Sequence, residues 1–570
     1  MVHYHYDNER ISDVTYTDSN DPAKAEKPLL KNIIYAPFGG PQQWTYGNGL
    51  TQKVSNDLDG RTQRIELRNG ANPAIWAQSY GYDRYNNIKK IERAGSDQTK
   101  RTQQFDYDVL HRLTAEKRND QNTEFAYDPV GNRTEAKENG NATQLMYTAG
   151  NRLTQRGDVK ITLDGRGNLI EETETGAGAE AKSKTVRRFD YNSNDRPINF
   201  YKDGQLTAQY HYNANGLRDR KTLVNATQTQ TKLQTKTQIT QFTYAPDTRL
   251  LSAGSTTQTT HYIWLGGAPI AQIKKPVHQQ QTQTTITYLH TDHLLTPRIA
   301  TNEQQKVVWR WQSDAFGEAL ADSDPDKDGK HTNIQLRFPG QYADEESGLY
   351  YNVFRYYDPK LGRYTQSDPI GLGGGINSFS YALNNSISNF DTLGLSCTSS
   401  GGMTTCSYPG GPTFSLPTPT GFPDTLDSLF YHIYDVTRSI GCARAEDVMK
   451  GLINSPTPGN SSPATSGGTA NNAVVSFFPF NNPVTSYLTK DINTGMPVVV
   501  NMTGPGSLFG PGYVARYVTD GVAHTVGEGT NYIQSPLVLG PPVQWAADEG
   551  LWGHQMSGII EKAGCGCGNR

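Results

Sequence analysis

Cysteine is missing from the first 396 residues of this 570-residue chain. The five that exist, Cys397, Cys406, Cys442, Cys565 and Cys567, all lie in the last third, which implies two modules of different make-up. An odd count argues against a fully paired disulfide set, and Cys565-Gly-Cys567 alone is a weak metal or redox signal, so free thiols are expected. Long apolar runs are also missing: none approaches 18 residues, so no membrane span is expected. Met1 to Ser12 is polar and lacks the apolar core of a secretory signal. Charge of one sign is lacking too. The net charge of -3 gives no long-range pull toward nucleic acid or an anionic membrane. Hydrophobic residues reach only 35% and mean hydropathy is -0.66, too polar for one compact core. Aromatics, in contrast, make up 10%, and 32 residues are Tyr, which excludes a disordered chain. Tyr, Thr, Gly and Asn together favour strands joined by tight turns.

The aromatics recur. Tyr107, Tyr127 and Tyr147 fall 20 residues apart, each followed by an arginine: Arg112, Arg133 and Arg152. Looser copies stand at Tyr82-Asp83, Tyr191 with Arg196, Tyr212 with Arg218, and Tyr244. Alternation of Phe105 with Tyr107 and of Phe125 with Tyr127 predicts strands with one aromatic face. Gly131-Asn132, Gly150-Asn151 and Asn215-Gly216 supply turns, so the expected unit is one hairpin per repeat. A single hairpin cannot bury its aromatic face, whereas a stack of them makes a continuous curling sheet. The arginines are placed to stack on a neighbouring Tyr or to pair with an Asp. Two low-complexity stretches, Gln228 to Gln241 and His278 to Thr285, read as exposed hairpin extensions or loops.

These repeats resemble the YD repeats of Rhs proteins, of the C components of insecticidal toxin complexes and of teneurins. The resemblance covers roughly residues 30–395 and implies a mainly β fold: a YD-repeat sheet spiral, here a partial shell with fewer repeats than family shells have. The block from Arg337 to Leu395 is the most specific part. It contains Phe338-Pro-Gly-Gln-Tyr, Arg355-Tyr-Tyr-Asp-Pro, Gly362-Arg-Tyr, Ser367-Asp-Pro-Ile-Gly-Leu and Asp391-Thr-Leu-Gly-Leu, and it is similar to the Rhs core that caps the shell. In that family the core cleaves its own chain after the terminal Leu, with two carboxylates and an arginine. The resemblance assigns these roles to Asp368, Asp391 and Arg355, with Leu395–Ser396 as the scissile bond. Two carboxylates held together cannot both ionise cheaply, so one keeps a proton while the other activates water. The pair titrates as a unit, and neither role falls to one residue. Gly373-Gly374-Gly375 and Gly394 allow close backbone approach. Thr392 stands where the family has Pro, which frees φ and restores an N–H. Asp before Pro is also a common turn starter.

Asp324-Pro-Asp326-Lys-Asp328-Gly329 resembles the start of a calcium loop, yet Gln335 occupies the position of the bidentate Glu, so a solvated acidic loop is expected. His290 and His293 read as structural. No cofactor or metal is expected.

After Leu395 the composition changes to Ser, Thr, Gly and Pro. The expected divisions are a YD shell over 1–330, a self-cleaving cap over 331–395, a linker over 396–425 and a small α+β domain over 426–570. Apolar spacing predicts a helix over 427–453 and a second over 548–563, with strand-like runs at Val474-Val-Ser-Phe-Phe, Pro497-Val-Val-Val and Tyr513-Val-Ala-Arg-Tyr-Val. His524, Glu528, Arg516, His554 and Asn501 are the tail's candidate catalytic residues, with His524 and Glu528 as an acid–base pair. Residues 396–570 hold seven Lys/Arg against eleven Asp/Glu, which lowers a phosphate-gripping nuclease in the ranking. The family position of the tail is that of a variable toxin. That implies an immunity protein, a secretion-system or toxin-complex delivery partner, and a path from bacterial cytoplasm to a target cell. A non-enzymatic YD-repeat adhesion protein and a degenerate, displaced Rhs end are the alternatives.

Overall fold

The computed structural model describes the chain except residues 9, 19–24, 37–39, 96–100, 120, 175–183, 229–232, 246–247, 278–283, 370–376 and 392–397, and, further on, 401–402, 408–412, 418–430, 440–442, 458–461, 473–482, 491–495, 504–511, 520–521, 531–553 and 564–570. Two compact units emerge: Met1–His5 with Ser12–Gly394, and Tyr6–Ile11 with Leu395–Arg570. Among the described residues no helix is long and apolar enough to cross a membrane.

In the first unit, twenty-seven described strands form one antiparallel sheet. From Arg10–Thr17 to Val307–Arg310 each strand pairs with the next in sequence, so the sheet is an uninterrupted meander. The YD signature has a physical basis at its turns. In Asp128–Asn132 the Asp128 carboxylate accepts from the backbone N–H of Val130 (3.1 Å) and Asn132 (2.8 Å), and from the Asn132 side chain (2.9 Å). Gly131 takes the left-handed conformation the turn needs, at φ 87°. Asp83, Asp108, Asp164, Asn192, Asn213 and Asp292 accept the same two backbone donors in their own turns. Gly131-Asn132 therefore closes a five-residue loop rather than forming a two-residue turn. True two-residue turns sit at the ends of other strand pairs, with positive φ at both positions of Asn139-Gly140 and Asp203-Gly204.

The Tyr of the signature ties consecutive hairpins together. Its hydroxyl donates to the first carbonyl after the preceding repeat's turn: Tyr107 to Ile88 (2.7 Å), Tyr147 to Arg133 (2.9 Å), Tyr191 to Leu169 (2.9 Å), Tyr212 to Pro197 (2.8 Å) and Tyr244 to Arg218 (3.0 Å). Some arginines do both things expected of them. Arg61 and Arg112 ion-pair with Asp57 and Asp108 and cover the rings of Tyr82 and Tyr127. The meander curls until early and late hairpins meet. Tyr46 donates to the Leu289 carbonyl (2.9 Å), Asn48 to Thr301 and Asn302, and Gln103 to Ser313. His290 and His293 are structural: His290 Nε2 lies 2.9 Å from the Thr301 hydroxyl, and the His293 ring packs on Tyr80. The low-complexity stretch at 228 extends the hairpin of Arg218–Gln228 with Leu233–Tyr244, in register out to Gln228 opposite Leu233.

The block after residue 331 forms a four-stranded cap sheet from Tyr342–Asp344, Leu349–Asn352, Arg355–Asp358 and Arg363–Tyr364. It packs on the inner face of the curl: Leu349, Tyr351, Tyr356 and Leu361 join Leu145, Phe189, Phe200 and Tyr210 in one apolar cluster. A second cluster joins Trp309, Trp311, Phe338, Tyr357, Tyr364 and Tyr381. Buried ion pairs anchor the cap. Arg218 grips Asp344 with both terminal nitrogens, Lys221 reaches Asp344 (2.8 Å) and Glu346 (3.1 Å), and Arg187 bridges Glu172 and Asp358 at 2.7 Å each.

In the second unit the stretch expected as linker holds strands: Thr398–Ser400, Met403–Ser407 and Thr413–Pro417 form an antiparallel sheet. Threonine's β-branching outweighs the loop-like composition there. A six-stranded antiparallel sheet follows, ordered Tyr431–Ser439, Val522–Thr530, Gly512–Thr519, Pro497–Thr503, Pro483–Lys490, Thr469–Asn472. The single helix expected over 427–453 is instead a strand, Tyr431–Ser439, and a helix, Ala445–Asn454. Tyr, Ile and Val favour strands, and Tyr431–Ser439 pairs along its length with Val522–Thr530, so a sheet partner overrides the 3.6-residue spacing. The last helix is His554–Lys562. Both helices pack on one sheet face, through Val448, Met449, Leu452, Met556 and Ile559 against Val499, Val514, Val518 and Ala523. The run Val474 to Phe478 lies outside the described residues.

Candidate functional site

Arg355, Asp368 and Asp391 come together inside the cap. Asn352 and Arg355 face each other across the tight turn Val353-Phe354, whose Val353 is held at φ 53°, an uncommon conformation for a β-branched residue. The segment after Tyr364 runs beside Arg355–Asp358: Thr365 N–H donates to the Tyr356 carbonyl (2.9 Å), and Tyr356 N–H to the Gln366 side chain (2.9 Å). This brings Asp368 alongside Arg355. Asp368 N–H then bonds the Ser378 carbonyl (2.7 Å), which also accepts from Arg355 Nη1 (3.2 Å). Beyond Tyr381 the chain turns back through Ala382, Leu383 and Asn384, all at positive φ. Successive left-handed residues are unfavourable by roughly 1–2 kcal/mol each. Here they are held by Asn384 and Asn385, which donate to the Gly131 and His111 carbonyls of two YD turns. The return carries Asp391 to the other side of the guanidinium.

The geometry is a cation between two acids. Arg355 Nη1 lies 2.8 Å from Asp368 Oδ2 and Nη2 lies 3.2 Å from Asp391 Oδ2. The guanidinium carbon sits 3.6 Å from the centre of the Tyr364 ring. All three side chains are buried, at 2%, 5% and 5% exposure for Arg355, Asp368 and Asp391. One guanidinium compensates one carboxylate, and a second charge in so dry a place is costly. Two residues that sequence reasoning did not single out complete the site. Tyr364 donates its hydroxyl to Asp391 Oδ2 (2.8 Å). Asn352 Nδ2 donates to the Tyr364 oxygen (2.7 Å) and to the Asp391 backbone carbonyl (2.8 Å). Burial, and then the Asp391 charge, push the Tyr364 pKa well above the ordinary phenol value, so it stays protonated and donates. Both residues stand within the block from Arg337 to Leu395, in Tyr350-Tyr-Asn and Gly362-Arg-Tyr. Their roles follow from cap register, with Asn352 opposite Arg355 and Tyr357 opposite Tyr364, which the sequence alone does not give. The Leu395–Ser396 bond, Thr392, Gly394 and Gly373 to Gly375 lie outside the described residues.

Of the tail candidates, Arg516 and Asn501 meet at one backbone carbonyl, that of Pro456. Arg516 is fully buried on the helix-bearing face. Its Nε meets the Thr525 hydroxyl (3.3 Å), and Nη1 donates to the carbonyls of Ser455 (3.5 Å) and Pro456 (3.2 Å) and to Gln555 (2.9 Å). That is a clamp on the C-terminal end of the helix Ala445–Asn454. Asn501 is likewise occupied, bonding Ser486 and the Pro456 carbonyl. His524 follows Ala523 and precedes Thr525, so it belongs to the opposite face, where its ring stacks on Tyr517 at 4.7 Å. Glu528 is four residues along the same strand, about 13 Å away between α-carbons at the usual strand rise. Strand position alone therefore does not pair the two. His554 opens the last helix. Asp324, Asp326 and Asp328 each offer an oxygen within 4.8 Å of the others. Asp324 spends its carboxylate on the N–H groups of Asp328 (3.1 Å) and Gly329 (3.2 Å), as an ordinary acidic turn does.

The fold and the cap together define a YD shell with an enclosed polar centre. The sequence profile of the teneurin YD-shell family matches residues 48–371. This chain belongs to that family, as an Rhs/YD-repeat chain of the polymorphic-toxin kind. Among curated relatives, the double-stranded DNA deaminase toxin A of Burkholderia cenocepacia is 29% identical over 358 residues, 59% of this chain and 24% of that protein. The toxin protein Tse5 of Pseudomonas aeruginosa is 42% identical over 113 residues, 20% of this chain and 8% of its own. The chain thus spans a quarter or less of these two relatives. The crystal structure of TcdB2-TccC3-TEV matches with a TM-score of 0.52 at 16% identity, covering 69% of this chain and 20% of that one, which is a likeness of fold.

Proposed function

We propose that the cap is an aspartic self-cleavage centre that hydrolyses the Leu395–Ser396 bond and frees residues 396–570 as an effector. The observation that carries this reading is one buried guanidinium bridging two buried carboxylates, Asp368 and Asp391. One carboxylate takes a proton from water as the water oxygen bonds to the Leu395 carbonyl carbon. The other, protonated, gives its proton to the carbonyl oxygen. When the tetrahedral diol collapses the C–N bond breaks, the first acid returns its proton to the Ser396 nitrogen, and a diol hydroxyl reprotonates the second. Arg355 keeps one charge in place throughout.

The freed tail acts on a target cell, its producer is protected by an immunity protein that binds it, and a secretion or toxin-complex partner delivers it. The names of relatives, a DNA deaminase and a probable deoxyribonuclease from Dickeya dadantii, make nucleic acid a target to assay first, against the tail's acidic balance. Expression of the full chain, of Asp368→Asn and of Asp391→Asn tests the chemistry. The wild type should give a fragment whose N-terminal sequence begins Ser-Cys-Thr, and both variants should stay whole at 62.9 kDa. The same fragment from either variant would overturn the aspartic assignment.

A further inference from the structure

The curl closes where the strands Trp76–Tyr82, Ile88–Gly95 and Arg101–Tyr107 meet Pro297–Thr301, Val307–Arg310 and the residues just after them. Side chains join the two sides of this seam. Arg101 donates to Gln312 Oε1, Gln103 to the Ser313 carbonyl (3.2 Å) and Arg118 to the Gln312 carbonyl (3.3 Å). A recess of about 310 Å³, open at its mouth, lies in the seam. Trp76, Ile299 and Val307 give it apolar walls, and Arg93, Arg101 and Arg310 give it charge. Among the described residues no carboxylate lines it.

Its two early arginines rest on neutral partners. Arg93 is 8% exposed; its Nε donates to Gln78 Oε1 (3.0 Å) and its Nη1 to Gln103 Oε1. Arg101 uses Nη1 on Gln312. Arg93 Nη2 and Arg101 Nε and Nη2 have no acceptor among the described residues. The carboxylates whose charge reaches Arg93 are committed elsewhere, Asp292 to Arg298 (2.6 Å) and Glu116 to Gln103 (2.7 Å) and the Ala315 N–H (2.9 Å). Burial first, and then the Arg298 charge, push the Arg93 pKa down to about 10. At neutral pH it is thus a cation that its surroundings do not fully offset. A desolvated guanidinium is costly unless an anion meets it, and its planar fork matches the edge of an oxyanion.

We infer that the recess is a binding site for a tetrahedral oxyanion, phosphate or a phosphate monoester, held by Arg93 and Arg101 on one side of the seam and by Arg310 on the other. The guanidinium charge there exceeds that of one carboxylate, and a dianion balances it better. The open N–H groups of Arg93 and Arg101 suit an ion with several acceptor oxygens. Bound in this place, the anion staples the early hairpins to the late ones and supports closure of the curl. The site shares no residue with the cap's acids and does not depend on the self-cleavage reading.

The test uses the full chain at neutral pH and fixed ionic strength, with sodium chloride replaced stepwise by sodium phosphate. Thermal melts report binding, and phenylglyoxal modification mapped by peptide mass locates it. Phosphate should raise the melting temperature by several degrees and saturate. It should slow modification of Arg101 by about threefold or more, while the exposed Arg84 reacts as before. Phenyl phosphate separates the two sources: protection by it as well shows that the site takes the monoester, and protection by phosphate alone confines it to the free ion. Acetate, with one charge, should need about tenfold higher concentration. Arg101→Gln should raise the phosphate concentration at half-effect about tenfold, and Arg84→Gln should leave it unchanged. Equal responses to chloride and phosphate, an unprotected Arg101, or an Arg101→Gln chain that responds as the wild type does would each overturn the site. If Arg101→Gln does not fold, protection of Arg101 in the wild type still decides.

Discussion

Acidification should weaken the YD sheet through one side chain. His290 is wholly enclosed, with Nε2 against the Thr301 hydroxyl and its ring edge-on to Tyr46 at 4.4 Å. Burial pushes its pKa down to about 3. In the unfolded chain it returns to about 6.5. Between those values the unfolded chain holds the extra proton. The contribution is therefore complete above the unfolded value and is lost as the pH falls toward the folded one. Allowing for half-protonation at the start, lowering the pH from about 6.5 to about 4.5 removes about 2.3 kcal/mol. His290→Gln keeps a polar partner for Thr301 and does not titrate. His293, also depressed by burial, is present in both proteins and cancels. Urea unfolding at the two pH values, followed by the fluorescence of the buried Trp309 and Trp311, measures the difference. The wild type should lose about 2.3 kcal/mol more than the variant. Equal losses in the two proteins would refute a buried neutral imidazole.

Two further substitutions probe the cap's seat. Arg218→Met leaves the buried Asp344 to its ion pair with Lys221, and should destabilise the first unit by about 3–5 kcal/mol in thermal melts; a loss under about 1 kcal/mol would show the pair to be dispensable. Gly362→Ala adds a methyl at φ 63° that meets Phe316 at 2.8 Å and the Arg133 guanidinium, and should cost about 2–3 kcal/mol; an unchanged melting temperature would count against so tight a fit.

The meander and its cap were legible because their signals are local. A period of 20 residues marks Tyr107, Tyr127 and Tyr147, and the Asp after the Tyr explains itself by bonding N–H groups two and four residues on. The meeting of Arg355, Asp368 and Asp391 was legible only through family blocks, since the contacts that assemble it cross from cap to YD turns over hundreds of residues, as with Asn384 and Gly131. Tyr364 and Asn352 escaped notice for the same reason: register decides their partners, and register is a property of the folded cap. In the tail, apolar spacing at Ile433 and Val436 suggested a helix, but a sheet partner was available and took the segment. His524 and Arg516 looked like neighbours in a catalytic set, and strand alternation puts them on opposite sides of the sheet.

The bond that Tyr107, Tyr147, Tyr191, Tyr212 and Tyr244 make to the carbonyl just past the previous turn has an architectural corollary. Hairpins that carry this bond are fastened to their predecessors by the same short-range rule, much as staves are added to a cask. A wall built this way can gain or lose one 20-residue unit without redesign of the rest, provided the Tyr and its acidic turn travel together. Circumference then becomes a matter of how many units are copied, while the plug that closes the wall stays constant.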